Sequence, residues 1–438
     1  MRKALAGVMA GILAAGMLTA CGASEPAKME TAAKTEEAGK ETDSKDAGSD
    51  EVKVLDVVWF SDGKEGETFR RLTEKYTETH PNIQFEMIEV PYSELENKLK
   101  NMVNAGEQPA LTRISNIGTF QNQLLDLGEY IDADAFRNNF GSGLQYEFDG
   151  KILGAPMDIT ANGLIYNKTA FEQAGVAVPQ SEDEIWTWEE FEEALKTVMA
   201  NSDCKYGMVV DLSPQRFTTL MYEAGGSMLT EDLSASNFKS EGVKRSIEWF
   251  RHLHEEGIVP TSVWLGSENP NEMFRTGQVA THLAGSWMVS NYKEEITDFE
   301  WGVTYLPKDV QRASIPGGKY ISAFQGSGVE QEAAEFIEWL SQPENNAEYC
   351  KENYYLSQVK GNESLDYDFG AEYFKLFSNE LNATDAQPGA EWGYQAFTTL
   401  VQTDLKAGVQ DVLAENITID EFIESMDALI TESLDELN

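Results

Sequence analysis

The alternation of strand and helix patterns near the start of the main body constrains the fold of this 438-residue chain most strongly. Three apolar runs typical of buried strands alternate with three amphipathic helical patterns, in the order 54–60, 67–79, 83–90, 92–105, 110–115 and 120–131. This order predicts an α/β architecture, in which a mainly parallel sheet is flanked by helices. In such sheets ligands bind beyond the carboxyl ends of the strands.

The same alternation continues through the rest of the chain and predicts a second unit of similar type. Strand patterns occur at 164–166, 206–210, 279–283, 301–305 and 320–324. Helical patterns occur at 168–174, 187–199, 243–254 and 332–340, and a last helix follows Thr418. Capping boxes are predicted for the pairs Thr187 with Glu190 and Thr418 with Glu421. A body of this length has room for two lobes of ordinary domain size.

The N-terminus carries the signature of an exported and anchored protein. Arg2 and Lys3 precede an apolar run at 4–18, which has the length of a secretory leader rather than of a membrane span. The tetrapeptide that ends at Cys21, Leu-Thr-Ala-Cys, resembles the lipobox of bacterial lipoproteins. The resemblance implies a signal peptide at 1–20 and a diacylated Cys21; an ordinary signal peptide is the alternative. Residues 22–51 contain no aromatic residue and are predicted to be a disordered tether.

Charge and cysteine content exclude several classes of function. The formal net charge is −42, from 33 basic and 75 acidic residues, which disfavours nucleic acid and anionic lipid surfaces as partners. Beyond Cys21 the sequence has two cysteines, Cys204 and Cys350, which are too few for a disulfide framework in so large a body. Both are predicted to be unpaired core residues.

Seven phrases of the sequence together carry a family resemblance. They lie, in order, at 148–156 (FDGKILGAP), 163–175 (GLIYNKTAFEQAG), 186–191 (WTWEEF), 274–287 (FRTGQVATHLAGSW), 316–318 (PGG), 332–344 (EAAEFIEWLSQPE) and 389–397 (GAEWGYQAF). In this arrangement the chain resembles the bacterial extracellular solute-binding proteins of family 1, which serve carbohydrate ABC importers. The resemblance covers most of residues 52–438.

The resemblance implies a fold with two lobes and a ligand cleft between them, the type II periplasmic-binding-protein fold. The first lobe would hold residues 52–158 and about 320–365. The second lobe would hold about 159–319 and 366–438. The chain would cross between the lobes near residues 158–160, 315–320 and 364–368.

Aromatic side chains are the first candidates for a sugar site, because a sugar ring presents an apolar C–H face. Trp287 follows a Gly-Ser turn that removes bulk in front of its ring, and the resemblance implies that it stacks on a sugar; packing in the core is the alternative role. Trp392 matches a second stacking position of the family. Tyr320 follows the glycine pair that contains Gly318, at a predicted crossing, and packing at the hinge is the alternative role for this tyrosine.

Polar candidates lie in loops at strand ends, where short carboxylate and amide side chains can bind neighbouring hydroxyl groups. They are Ser61, Asp62, Glu65, Asn116, Asp158 and Asn162. Residues of these types also cap turns, so each has that alternative role. Arg216 and Phe217 are placed in a loop that contributes to the wall of the second lobe.

The sequence lacks the local signals of other chemistry. His252 and His254 are two residues apart in a predicted helix and point to different faces, which argues against a metal pair. Nucleophile-elbow, zinc-protease and phosphate-loop motifs are missing, so neither a metal nor a cofactor nor an enzymatic activity is predicted. Acidic pairs are too numerous to exclude a glycosidase by counting.

The sequence therefore predicts a monomeric lipoprotein on the outer face of the cytoplasmic membrane, anchored through Cys21. A cell envelope of Gram-positive type is favoured. It would capture a carbohydrate, preferably an oligosaccharide, by hinge closure and deliver it to ABC permease subunits. The alternatives are a binding protein for a sugar alcohol or a glycerol-phosphate diester, an exported glycan-active enzyme, and a surface adhesin.

Overall fold

The computed structural model describes residues 52–61, 63–141 and 144–437, apart from the side chain of Ser93. The predicted signal peptide, the anchor Cys21, the tether and Asp62 lie outside the described residues, and the predictions made for them remain predictions. Within the described ranges, none of the helices has the length and apolar character needed to cross a bilayer.

The opening strand–helix alternation is present, with boundaries close to those predicted. Its elements are β1 (Lys53–Trp59), α1 (Glu65–Thr79), β2 (Ile83–Glu89), α2 (Tyr92–Ala105) and β3 (Leu111–Ile114). Helix α1 ends where the His80 backbone N–H donates back to Tyr76, just before Pro81, and α2 ends at Gly106, whose φ of 74° is left-handed. Turn chemistry therefore fixes the boundaries of both helices.

The predicted helix at 120–131 is wrong. This segment contains two short 3₁₀ turns, Gly118–Phe120 and Leu127–Glu129, separated by a turn at 121–123 and a short non-helical stretch at 124–126. In that stretch the Leu125 N–H donates a hydrogen bond of 2.8 Å to the Ala323 carbonyl oxygen. Pairing with a strand from much later in the chain replaces the helix that the leucine spacing indicated.

The middle of the chain supplies a small hairpin and all four strands of a second sheet. Its elements are α3 (Ala133–Asn138), β4 (Glu147–Phe148), β5 (Lys151–Ile152), β6 (Ala155–Thr160), β7 (Asn162–Asn167), α4 (Lys168–Ala174), α5 (Trp188–Asn201), β8 (Tyr206–Val210), α6 (Pro214–Glu223), α7 (Glu241–Glu255), α8 (Thr261–Trp264), α9 (Pro270–Arg275), β9 (Val279–Gly285), α10 (Met288–Glu295) and β10 (Trp301–Thr304). The capping box predicted for Thr187 and Glu190 is present at the start of α5.

The last third of the chain adds one strand and then only helices. They are β11 (Gly317–Ala323), α11 (Glu330–Leu340), α12 (Pro343–Asn353), α13 (Ala371–Ala383), α14 (Ala386–Gly393), α15 (Gln395–Leu413) and α16 (Ile419–Leu437). At the start of α16 the Glu421 N–H donates to the Thr418 hydroxyl oxygen and the Thr418 N–H donates to the Glu421 carboxylate, so the second predicted capping box is confirmed.

Two sheets organise the main body. The sheet of the first lobe has the order β2-β1-β3-β11-β6, and the sheet of the second lobe has the order β10-β7-β9-β8. Pairing is parallel for β1 with β2, β1 with β3 and β8 with β9. It is antiparallel for the other four pairs, so both sheets are mixed rather than mainly parallel. In the first sheet, both antiparallel pairs involve β11, which joins the sheet after the chain has passed through the second lobe.

Each lobe has its own hydrophobic core. The first sheet is covered on both faces, and Trp59 is fully buried there. Cys350 lies in the first core and Cys204 in the second, and both are free thiols, as predicted. The second core is larger because it includes the C-terminal helices.

The chain passes between the two sheets three times. Ala161 alone separates β6 of the first sheet from β7 of the second. The chain returns through residues 305–316, between β10 and β11, and leaves again through residues 354–370, between α12 and α13. Neither lobe is therefore a continuous segment of sequence.

Candidate functional site

A cavity of about 480 Å³ lies where the two lobes meet. Its walls come from the loops after β3, the start of α6, the β9–α10 turn, the start of β11 and helices α14 and α15. Seven predicted site residues line it: Asn116, Asn162, Arg216, Trp287, Gly318, Tyr320 and Trp392. The structure thus brings together, around one space, candidates that lie far apart in sequence.

Trp287 follows the end of β9, and its ring lies against the backbone of the residue two positions earlier. A Cβ atom added to Gly285 would come within 1.8 Å of the Trp287 ring, so only glycine permits this position of the indole. The ring is partly exposed and packs against residues of both cores. It is therefore a side chain of the second lobe that touches both halves of the molecule.

Arg216 covers one face of the Trp287 ring. The guanidinium carbon lies 4.3 Å from the ring centroid, a cation–π distance. One Arg216 Nη donates to the Asn162 side-chain oxygen at 2.8 Å and to the Gln215 side-chain oxygen at 2.9 Å. Because the cation occupies one face, a ligand can stack on at most the other face of the indole.

The local structure around Arg216 differs from the prediction in one respect. Arg216 and Phe217 lie in the first turn of α6 rather than in a loop. Burial lowers the pKa of Arg216 below its ordinary value, and the nearby Asp211 carboxylate opposes that shift. The helix presents Arg216 to the cavity and turns Phe217 into the second core, where Phe217 is fully buried against Phe250.

Trp392 is held by its neighbour in α14. The buried Glu391 carboxylate accepts hydrogen bonds from the Tyr222 hydroxyl at 2.6 Å, from the Leu229 N–H at 2.8 Å and from other donors. Burial raises the pKa of Glu391, and these donors oppose the rise. The Trp392 indole N–H donates to the Thr218 hydroxyl oxygen at 3.1 Å, which fixes the ring at the cavity wall.

Three further predicted residues complete the wall contributed by the first lobe and the crossing strand. The Asn116 side-chain oxygen accepts from the Thr119 N–H at 3.2 Å, so this residue caps a turn as well as lining the cavity. Tyr320 is 3% exposed, and burial raises the pKa of its hydroxyl. A Cβ on Gly318 would lie 2.5 Å from the Asp158 carbonyl oxygen, so the close strand pairing requires glycine here.

Four described candidates lie outside the cavity lining. Asp158 and Glu65 are buried within 4 Å of the Arg113 guanidinium, at 3.7 and 3.6 Å, in a polar cluster inside the first lobe. The Ser61 hydroxyl donates to Glu89 at 2.6 Å, and Phe217 is in the second core. Asp62 is not among the described residues.

The cavity also contains residues that the sequence analysis did not single out. Tyr92 begins α2, is 56% exposed and stacks obliquely on Phe60 with ring centroids 4.9 Å apart. Its hydroxyl lies 2.9 Å from that of Ser115. Tyr92 gives the first lobe an aromatic ring of its own at the cavity. The sequence signal that could have identified Tyr92 is an aromatic residue at the start of a helix that closely follows a strand.

The two lobes touch each other beside the cavity. The Gly118 N–H of the first lobe donates to the Gln395 side-chain oxygen of α15 at 2.6 Å. Lys64, at the start of α1, forms an ion pair with Glu294 of α10. Together with Trp287, which packs on both cores, these contacts describe a closed arrangement of the lobes.

A second cavity, of about 1080 Å³, is larger. It lies between the third crossing segment and helices α13 and α14, and it shares Pro316 and Gly389 with the first cavity. None of Trp287, Trp392 and Arg216 lines it. Convergent aromatic and polar groups identify a binding site better than volume does, so the 480 Å³ cavity is the candidate site.

Comparison with known families agrees with this geometry. The family model of the bacterial extracellular solute-binding proteins matches residues 71–363. The chain belongs to this family. The match spans most of both lobes, and it includes the first two crossing segments. The resemblance stated from the seven phrases is therefore confirmed.

Several binding proteins are similar to the chain in sequence. A binding protein of Brucella abortus is 24% identical over 335 residues, which cover 74% of this chain and 79% of that protein. The lactose-binding protein of Rhizobium radiobacter is 26% identical over 282 residues, 61% of this chain and 65% of the relative. The sn-glycerol-3-phosphate-binding periplasmic protein of Pectobacterium atrosepticum is 23% identical over 335 residues, 68% of this chain and 72% of the relative.

Solved structures of solute-binding proteins share the fold. The ABC substrate-binding protein of Listeria monocytogenes in complex with cycloalternan superposes with a TM-score of 0.74 at 19% identity, covering 88% of this chain and 99% of that one. Maltose-bound MalE3 of T. maritima gives a TM-score of 0.72 at 21% identity, over 88% of this chain and 100% of that one. The predicted two-lobed α/β fold of type II periplasmic binding proteins is confirmed.

Proposed function

We propose that this solute-binding protein captures an oligosaccharide in the 480 Å³ cavity and delivers it to the permease of an ABC importer. The observation that carries the proposal is the convergence of three aromatic rings, Tyr92, Trp287 and Trp392, on one cavity with amide and guanidinium groups between them. Aromatic faces suit the C–H faces of sugar rings, and polar groups suit their hydroxyls. The volume falls within the ~300–1,000 Å³ typical of ligand sites.

The proposed mechanism is hinge closure. A ligand that contacts Tyr92 and Asn116 of one lobe and Trp287 and Trp392 of the other gains all its contacts only when the lobes are together. Binding therefore shifts the population from open to closed molecules. The closed form docks on the permease, and no covalent step occurs, so the protein is not an enzyme.

The lobe boundaries and the anchor belong to the same proposal. We place residues 52–158 and about 320–365 in the first lobe, and about 159–319 and 366–438 in the second. The signal peptide at 1–20 is removed, and lipidated Cys21 holds a monomer on the outer face of the cytoplasmic membrane through the tether. Labelling cells with an alkyne-tagged fatty acid tests the anchor: label that persists in a Cys21→Ala variant would rule it out.

A second candidate ligand is a glycerol-phosphate compound. The similarity to the glycerol-phosphate-binding protein of Pectobacterium favours it, as do two cationic residues at the cavity, Arg216 and Lys319. Against it, Arg216 lies 3.6 Å from the Asp211 carboxylate, so part of its charge is already balanced. A phosphate diester would be expected to need more free positive charge than that.

Calorimetric titration of the full chain with a panel of ligands tests the proposal. The panel contains monosaccharides, maltose, linear oligosaccharides of three to five rings and sn-glycerol 3-phosphate. Heat of binding is expected from an oligosaccharide. Heat from monosaccharides alone would reject the oligosaccharide class, and heat from sn-glycerol 3-phosphate alone would select the second candidate. Release of shorter products from a labelled oligosaccharide would make the protein an enzyme instead.

A further inference from the structure

A line of polar side chains, three buried and one partly exposed, runs behind the Trp287 ring in the second lobe. His282 lies in the inner strand β9 and is fully buried. One ring nitrogen, Nδ1, lies 2.7 Å from the Tyr292 hydroxyl, and the other, Nε2, lies 2.8 Å from the Asp211 carboxylate. The second Asp211 oxygen is 3.6 Å from Arg216 Nε. We call Tyr292, His282, Asp211 and Arg216 the polar chain.

The hydrogen-bonding roles in the polar chain follow from its chemistry. A carboxylate only accepts, so His282 Nε2 carries the hydrogen that it donates to Asp211. Nδ1 and the Tyr292 hydroxyl form the second hydrogen bond of the ring. Both ring nitrogens of His282 therefore have a hydrogen-bond partner, which offsets the cost of burying a polar ring in an inner strand.

Asp211 is the member that joins the strand to the cavity wall. It directly follows β8 and is held on one side by His282 and on the other by Arg216. Burial would raise the pKa of Asp211, but His282 and Arg216 outweigh this effect and hold the pKa below its ordinary value. The carboxylate is thus a fixed negative charge behind the arginine.

Among the described residues, Arg216 is in turn the one cation that lies over the Trp287 ring at a cation–π distance. Asn162 and Gln215 bind its Nη end through hydrogen bonds, and the Asp211 carboxylate lies 3.6 Å from Nε, an ion pair without a hydrogen bond. A guanidinium held by hydrogen bonds at one end and by charge at the other presents a flat backing for the indole. Without Asp211 the charge attraction at Nε is lost, and the ring loses part of its support.

We propose that His282 and Asp211 are positioning residues for the binding platform: through Arg216 they hold the Trp287 ring in its orientation at the cavity wall. The ligand role of Trp287 rests on the proposed function, but the positioning itself does not. None of these residues except Arg216 and Trp287 lines the cavity, so the effect reaches the ligand only through the ring.

Acrylamide quenching of the Trp287 emission tests the proposal without any sugar. The protein has nine tryptophans, so the Trp287 signal is isolated as the difference between each variant and the same variant carrying Trp287→Phe. Loss of a cation–π contact raises the population of displaced rings roughly two- to fivefold, and the quenching constant of this signal is expected to rise with that population in Asp211→Asn and in His282→Phe.

His254→Phe is the matched control, because His254 is a buried histidine of the same lobe that is not part of the polar chain. It should leave the Trp287 quenching constant unchanged. An unchanged constant in Asp211→Asn, which preserves shape and fills the same space, would overturn the proposal, and so would an equal rise in the control. Failure of the protein to bind any sugar would reject the proposed function and leave this result intact.

Discussion

The Gly118 backbone N–H and the Gln395 side-chain oxygen, 277 residues apart, are joined by a 2.6 Å hydrogen bond that links the two lobes. We expect Gln395→Ala to open the ligand-free protein, because one hydrogen bond contributes about 0.5–1.5 kcal/mol to the closed form. Small-angle scattering would report the change as a larger radius of gyration. Gln395→Glu keeps an acceptor for the Gly118 N–H and should stay closed, and Gln402→Ala, on the same helix, is a neutral control. Equal radii for all variants would show that this bond does not influence closure.

Trp287→Ala should weaken ligand binding by about 1–3 kcal/mol, the range for a buried aromatic anchor. The measurement is calorimetric titration with the tightest ligand of the panel. Trp249 is a suitable control, because it stacks on Trp188 with centroids 4.0 Å apart and does not line the cavity. Unchanged affinity in a folded Trp287→Ala protein would show that this residue only packs between the two cores and does not bind ligand.

Tyr92→Ala should also weaken binding, by about 0.5–1.5 kcal/mol if the ring stacks on a sugar. Tyr92→Phe retains the ring and removes only the hydroxyl that faces Ser115, so its affinity should stay close to that of the wild-type protein. Equal losses in the two variants would show that the hydroxyl, and not the aromatic face, makes the contact.

Gly285→Ala should displace the Trp287 ring and lower stability. The added methyl group would lie 1.8 Å from the ring and 2.4 Å from the Ala161 carbonyl oxygen, and overpacking of this kind costs about 1–3 kcal/mol. Affinity should fall towards that of Trp287→Ala. In Gly393→Ala the new Cβ would meet its nearest neighbour, Gln145, at an ordinary 3.8 Å, so stability should be retained. A stable Gly285→Ala protein with normal affinity would contradict the ring position.

His254 should make folding stability fall in mild acid. Burial lowers the pKa of His254 from 6.5 to about 4. The hydrogen bond to the Phe250 carbonyl oxygen opposes this shift but is outweighed by it. Between pH 6.5 and 4 the unfolded chain binds a proton that the folded protein does not, so stability declines as the pH falls through this window. The loss reaches about 3 kcal/mol by pH 4.

The pH effect of His254 is measured by urea unfolding at pH 7.5, 6.0, 5.0 and 4.0, for the wild-type protein and for His254→Gln. The variant should be less dependent on pH over this range. His252→Gln serves as the control, because His252 is half-exposed beside Glu192. If the His254 variant keeps the full wild-type slope, other groups cause the acid sensitivity.

The sequence predicted the local elements best where turn chemistry marks their ends. The boundaries of α1 and α2 follow from His80-Pro81 and Gly106, and those of α5 and α16 follow from capping boxes. The helix prediction for 120–131 failed because no turn chemistry guided it. The leucines of this segment fit a helical spacing, but their partners lie at the end of β11, about 200 residues later. Periodicity contains no information about such a partner.

The site was predictable where a side chain belongs to a family phrase, and less so elsewhere. Trp287, Trp392 and Gly318 lie in such phrases and line the cavity. Glu65 and Asp158 were predicted to bind ligand because they are polar residues near strand ends. Both instead face the buried Arg113 inside the first lobe. Which side of a strand end such a residue faces depends on tertiary packing, and residue type alone does not determine it.

The position of β11 has a consequence for how the protein is made. Strand β6 has no sheet neighbour other than β11 among the described strands, and β11 emerges from the ribosome more than 150 residues later. Until β11 has been synthesised, the backbone amides along this edge of β6 have no strand partner and are solvated or covered by a chaperone. The first sheet can therefore be completed only after the strands of the second sheet have been synthesised. A chain released before residue 323 would have an unpaired strand edge that is prone to aggregation.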